Sequence, residues 1–154
     1  MGAAAHGWVH FPPVEDIHMI ELTLEMAERA AKAALAKAKA LGTVMTASVV
    51  DEAGRTVLVM RGDGAGFFSP QTSHAKAVAA ANFRRSTKEL GEMALKGSAF
   101  WSAAPAVLRG EALPSIGGVP ITRGGQVIGA IGCGGGTGEQ DDECAAAGAA
   151  TISS

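Results

Sequence analysis

The last third of the chain, residues 117–154, constrains the fold most. It reads GGVPITRGGQVIGAIGCGGGTGEQDDECAAAGAATISS. The apolar run around Val127, Ile128, Ala130 and Ile131 fits a buried strand. It enters the glycine-rich Gly132-Cys133-Gly134-Gly135-Gly136, and a helix is predicted to open at Thr137 or Gly138. Upstream, Arg123-Gly124-Gly125-Gln126 predicts a two-residue hairpin turn from a partner strand beginning at Ile116 or Val119. A glycine loop that opens a helix gathers unpaired N–H groups at the positive end of the helix dipole, which suits an anionic ligand. The same residues also permit a self-contained helix start. Thr137 and Gln140 have capping-box spacing, and Asp141 and Asp142 place acids in the first turn.

Reading from the front, residues 1–14 form an arm that carries His6, Trp8, His10, Phe11 and Pro12-Pro13. The proline pair stops a helix there, so His6 and His10 do not share a helical face. The rest, residues 15–154, reads as one domain. A helix is predicted from about Asp16, a plausible N-cap, to Leu41, with Ile17, Ile20, Leu24, Ala27, Ala31, Leu35 and Ala38 on one face. Glu25/Arg29 and Glu28/Lys32 make i,i+4 pairs on its outer side. Residues 43–50 and 56–60 are strand-like and are joined by the turn Asp51–Gly54. Pro70 suits the first turn of a helix running to about Arg85, and a short helix follows from Thr87 to Leu95. Residues 97–115, with Trp101, Pro105 and Pro114, read as a long irregular loop. The order helix, hairpin, helices, hairpin, helix defines an α+β domain, with helices packed on a mainly antiparallel sheet.

The 154 residues suffice for one substantial core. A net charge of −2 argues against a general nucleic-acid binder. No apolar run approaches the ~18 residues of a membrane span, and the N-terminus lacks a secretory pattern. The two cysteines, Cys133 and Cys144, have no metal-site spacing, and a cytoplasmic location with reduced thiols is the expectation.

Several motifs occur in a fixed order: Asp51-x-x-Gly54, Arg61-x-Asp63, Lys76-Ala77, Gly117-Gly118-Val119-Pro120, Gln126 to Gly132, and Gly135-Gly136-Thr137-x-Glu139-Gln140-Asp141. In these the chain resembles the GlcG/HbpS family, also called the haem-degrading domain family, to which the C-terminal domain of PduO-type proteins belongs. The resemblance covers residues 17–152. It implies a profilin-like fold, a five-stranded antiparallel sheet with helices on both faces, and assembly into homo-oligomers. It also implies haem or another tetrapyrrole as ligand. The sequence departs from the family at Cys133-Gly134, where relatives often carry Val-Ser, and at Gly62, where a larger residue is usual.

Two functions follow from different residues. A haem site needs an axial ligand, an apolar slot and cations for its propionates. His18, near the start of the first helix, and His74, on the helix after Pro70, are the candidate metal ligands. Gly134, Gly135, Gly136 and Thr137 are candidate ligand-binding backbone, and Phe67, Phe68, Phe100 and Trp101 are candidate apolar walls. The ligand would sit between the first helix, the His74 helix and the terminal glycine loop, at or near a subunit contact. The alternative is a cofactor-independent enzyme acting on a small anionic or aromatic metabolite. There Arg61 binds the anion, unless it pairs with Asp63 or Asp51, and His74 or Cys133 acts as acid, base or nucleophile. A helix N-terminus next to Cys133 would lower its thiol pKa, whereas a Cys133 side chain pointing into the sheet core would be only a small hydrophobe. A third reading is a non-catalytic assembly or redox sensor. Lys76 points away from His74 and is expected to cap a neighbouring element or pair with an acid rather than form a Schiff base.

Overall fold

A computed structural model describes residues 21–153. In chain order it contains α1 (Leu24–Ala40), β1 (Thr46–Asp51), β2 (Thr56–Arg61), α2 (Ser69–Phe83) and α3 (Thr87–Leu95). These are followed by α4 (Ala99–Leu108), β3 (Gly118–Arg123), β4 (Gln126–Gly134) and α5 (Gly138–Ala150). The strands form one sheet in the order β2-β1-β4-β3, with every neighbouring pair antiparallel. The α+β class and the two hairpins agree with the sequence. The described residues form four strands rather than five, and part of the stretch read as an irregular loop between α3 and β3 is helical, Ala99–Leu108.

Each hairpin turn has a local cause. Gly124 and Gly125 both take positive φ (56° and 77°), as a type I′ turn requires, and Arg123 pairs with Gln126 across it. In the first hairpin, Asp51 Oδ1 accepts the N–H groups of Ala53 and Arg55, so the carboxylate closes the turn.

Side-chain alternation then sorts the sheet into two faces. Ala47 and Val49 of β1, with Ile131 and Cys133 of β4, join the cluster built by α1 and α5. Ser48 and Thr46 of β1, with Gly132 and Gly134 of β4, face α2. On α1 the fully covered stripe is entirely alanine: Ala27, Ala30, Ala31, Ala34 and Ala38. Such small side chains allow close approach. A methyl added to Gly148 of α5 would meet the Ala30 carbonyl oxygen at 2.7 Å.

The first helix starts later than the pattern implies. Thr23 is its N-cap, its hydroxyl accepting the Met26 N–H at 3.2 Å, and Leu24 is 56% exposed. Asp16, His18 and the arm lie outside the described residues. Residues 97–115 also depart from the expected loop, because Ser98 caps α4 by accepting the Trp101 N–H. Pro105 sits inside that helix at the cost of one backbone hydrogen bond. Only Ala104 of α4 is buried, so the helix lies at the periphery.

Candidate functional site

Helix α2 has two working sides. Its inner side docks on β1 and β4 through hydroxyls and small residues. Ser69 meets Thr46 at 2.8 Å, and Ser73 meets Ser48 at 2.7 Å. Opposite them Gly132 and Gly134 leave room for the helix backbone. A side chain at Gly132 would strike the Ser73 carbonyl and the Ala77 N–H. Lys76 continues this side. Its ammonium donates to Asp141 Oδ2 at 2.7 Å and to the Cys133 carbonyl at 3.1 Å, with both charged side chains almost fully buried. The predicted acidic partner of Lys76 is therefore Asp141, in the first turn of α5. This ion pair ties the α2 layer to the α5 layer past the start of β3, where Gly117 has a positive φ of 120° and keeps the space clear.

This arrangement redefines the terminal glycine run. Gly132, Cys133 and Gly134 belong to β4 and pair with β1. The Gly136 N–H donates to Asp141 Oδ1 at 2.9 Å, and the Thr137 N–H donates to Gln140 Oε1. Thr137 in turn accepts the Gln140 N–H, which completes the capping box. Gly135, with φ 128°, lies against the backbone of Val44 and Met45. These glycines and Thr137 sit in backbone packing and internal hydrogen bonds rather than around an open cradle.

The outer side of α2 carries Gln71, His74, Ala75 and Val78, and two cavities open along it. One, of about 430 Å³, lies between α2 and α4 and is bordered by Ala75, Trp101, Ala104, Pro105, Leu108 and Leu113. No charged residue lines it. Trp101 is held by aromatic contacts with Phe100 (5.0 Å between centroids) and Phe83 (5.8 Å). The other, of about 670 Å³, lies towards the first hairpin and is bordered by Gly54, Thr56, Val59, His74, Val78 and Glu111. Glu111 is the one acidic residue around it, and no lysine or arginine lines it. His74 is half-buried, with its Nε2 2.9 Å from the Thr56 hydroxyl. Among the described residues it is the one histidine, and no group of three or more His, Cys, Asp or Glu is placed to hold a metal ion.

The remaining candidates lie apart from this side. Cys133 is on the opposite face of the sheet, fully buried in the α1/α5 cluster. The expectation of a lowered thiol pKa fails there, because burial pushes the Cys133 thiol up. Arg61 ends β2 and donates to the Ala65 carbonyl, while Asp51 is paired with Arg55 at 2.7 Å. The expected ion pair of Arg61 with Asp63 or Asp51 is not found among the described residues, and Arg61 lines neither cavity along α2. Arg61, His74 and Cys133 thus do not share a cavity. Nor do α1 and α2 border a common pocket within one chain, since the sheet separates them. His18 falls outside the described residues. Phe67 and Phe68 stack on each other at 4.1 Å and are largely exposed, so they line neither cavity. Asp142, near the start of α5, is half-buried and its pKa is raised by burial.

Sequence reasoning misses Thr56 as the partner of His74 and α4 as a cavity wall. The first contact joins residues from separate elements and leaves no local pattern. The second did leave one: Ser98 stands directly before an apolar run and was available as an N-cap.

A four-stranded antiparallel sheet with α1 and α5 on one face and α2 on the other is an arrangement that this chain shares with known proteins. Residues 22–150 match the model of the family described as haem degrading protein HbpS-like, and the chain belongs to that family. A 15.0 kDa protein in the dhaT-dhaS intergenic region of Citrobacter freundii is 36% identical over 122 residues, covering 78% of this chain and 84% of that protein. A double mutant of HbpS from Streptomyces reticuli superposes with a TM-score of 0.78 at 33% identity, covering 97% of this chain and 99% of the other. The PduOC protein, crystallised as a haem complex, superposes with a TM-score of 0.79 at 28% identity, covering 86% and 95%.

Proposed function

We propose that this protein binds haem or a related tetrapyrrole in the cleft along the outer side of α2, with haem sensing or degradation as its biological setting. The observation that carries the reading is the pairing of an apolar cavity walled by Trp101 with an adjoining cavity that contains His74. A flat, largely apolar ligand suits the first, and an imidazole is a common iron ligand. The haem complex of PduOC and the HbpS-like family support the same ligand class. Trp101, Leu108 and Leu113 would border the ring, and His74 would offer a ring nitrogen to the metal. Thr56 fixes that ring through Nε2, as partners of ligating histidines do. Bound iron would supply redox chemistry, and the chain's own part is to hold the ring and limit water on the Trp101 side. With no cation lining either cavity, the propionates would lie in solvent at the open side. A small anionic substrate would likewise find no cationic partner in either cavity.

The full chain is titrated with haemin and followed by its Soret absorption. The expected result is a saturable change that His74→Ala weakens by about tenfold or more. His18→Ala, measured in parallel, assigns the second candidate ligand. No saturable change in the unsubstituted protein would overturn the proposal. The exposed Phe100 and Val107 of α4 support a homo-oligomer, read from the mass in solution with and without haemin.

A further inference from the structure

The two cavities along α2 meet at Gln71, Ala75 and Gly110, which border both. Between them the chain after α4 crosses the helix. Arg109 and Gly110 take positive φ (51° and 76°) and turn the backbone, and the Leu113 N–H donates to the Ala75 carbonyl at 3.0 Å. That bond fixes how closely residues 110–113 lie over Ala75. The junction is open on the Gly110 side, where an added methyl would meet nothing within 4 Å. On the helix side the junction is bordered by Ala75 and Gln71.

We infer that the two cavities are compartments of one binding site, and that Ala75 with Gln71 sets the length of ligand it admits. The site would take a rigid, extended molecule with a flat apolar body in the Trp101 compartment and a donor or metal centre at His74. Molecules short enough for one compartment would bind without crossing the junction. This inference rests on the proposed tetrapyrrole reading and adds a selection rule to it. Leucine at position 75 would place three more carbons at the junction, and closing space in a packed site is felt even one methylene at a time. Gln71 is exposed, so an aromatic residue there would narrow the same junction without touching the core.

Ala75→Leu and Gln71→Phe are each made in the full chain and titrated with haemin and, separately, with 1-aminoanthracene, a flat amine short enough for one compartment. Both variants are expected to weaken haemin by about tenfold or more, and by a clearly larger factor than they weaken aminoanthracene. Gln71→Phe keeps the test valid if Ala75→Leu does not fold. Haemin affinity unchanged in the folded variants would overturn the inference and leave the tetrapyrrole reading standing. Equal loss of both ligands would also overturn it, because the compartments would then not be separable. If the parent protein fails to bind haemin, the reading and the inference fall together.

Discussion

On the α1/α5 face of the sheet the buried contacts are apolar and closed. Alanines of α1, Ile131, Cys133 and Cys144 fill the space, and an ion pair between the two helices, Lys37 with Glu143 at 2.8 Å, lies at the exposed rim. On the α2 face the contacts are hydroxyl pairs, glycine-to-backbone approaches and one buried ion pair, and the cavities of the cleft lie on the far side of that helix. Polar contacts are directional where apolar ones are not, and they fix one seating of a helix. The α2 face therefore trades burial for position. That is the property needed by a helix whose outer side must hold His74 and Ala75 in register with Thr56 and Leu113.

The largest break in this contrast should come from Asp141→Ala, which strands the Lys76 ammonium and the Gly136 N–H together. A loss of about 3–5 kcal/mol is expected for a buried pair broken on one side, read from urea denaturation. A loss below about 1 kcal/mol would show that the pair is solvated in practice. Next come two single-methyl changes on neighbouring β4 residues. Gly132→Ala drives a methyl into the backbone of α2 and should cost about 1–3 kcal/mol or more. Ile131→Val, on the other face, should cost about 0.5–1.5 kcal/mol. Equal costs would erase the distinction between the faces.

The smallest effect concerns the thiols. Burial pushes Cys144 up to about 11 from its usual 9.0, and Cys133 further in the same direction. Above pH 9 the unfolded chain releases thiol protons that the folded chain keeps. The unfolded state then binds fewer protons, so stability falls as pH rises from 9 towards 11. Denaturation midpoints at about pH 8 and about pH 10 should show this slope, and Cys144→Ala should reduce it by about half, leaving the Cys133 share. Ready labelling of either cysteine in the folded protein near neutral pH would contradict the closed character of the α1/α5 face.

Much of the fold was legible because its determinants are local. Gly124-Gly125 predicts its turn, Thr137-x-x-Gln140 its cap, and the alanine stripe of α1 its buried side. The late start of α1 was not, because the apolar spacing from Ile17 and Ile20 runs on through Leu24 while Thr23 takes the cap. Helix α4 was obscured by Pro105, which reads as a breaker but is tolerated in a peripheral helix. For the site, period-two alternation from Ile131 already places Cys133 in the core, a consequence that the glycines on either side concealed. The links between Lys76 and Asp141 and between Thr56 and His74 join separate elements. Sequence supplied the chemistry of Lys76, but only the folded chain supplied its partner.

Lys76 and Asp141 stand 65 residues apart and reach each other from opposite helical layers. They meet only with both α2 and α5 docked on the sheet, so their bond is expected to form late in folding. An interaction formed after the transition state holds the native chain rather than guiding it there. Asp141→Ala should therefore leave the refolding rate nearly unchanged and hasten unfolding. The ion pair would govern how long a folded molecule lasts, and with it the lifetime of any ligand held against α2.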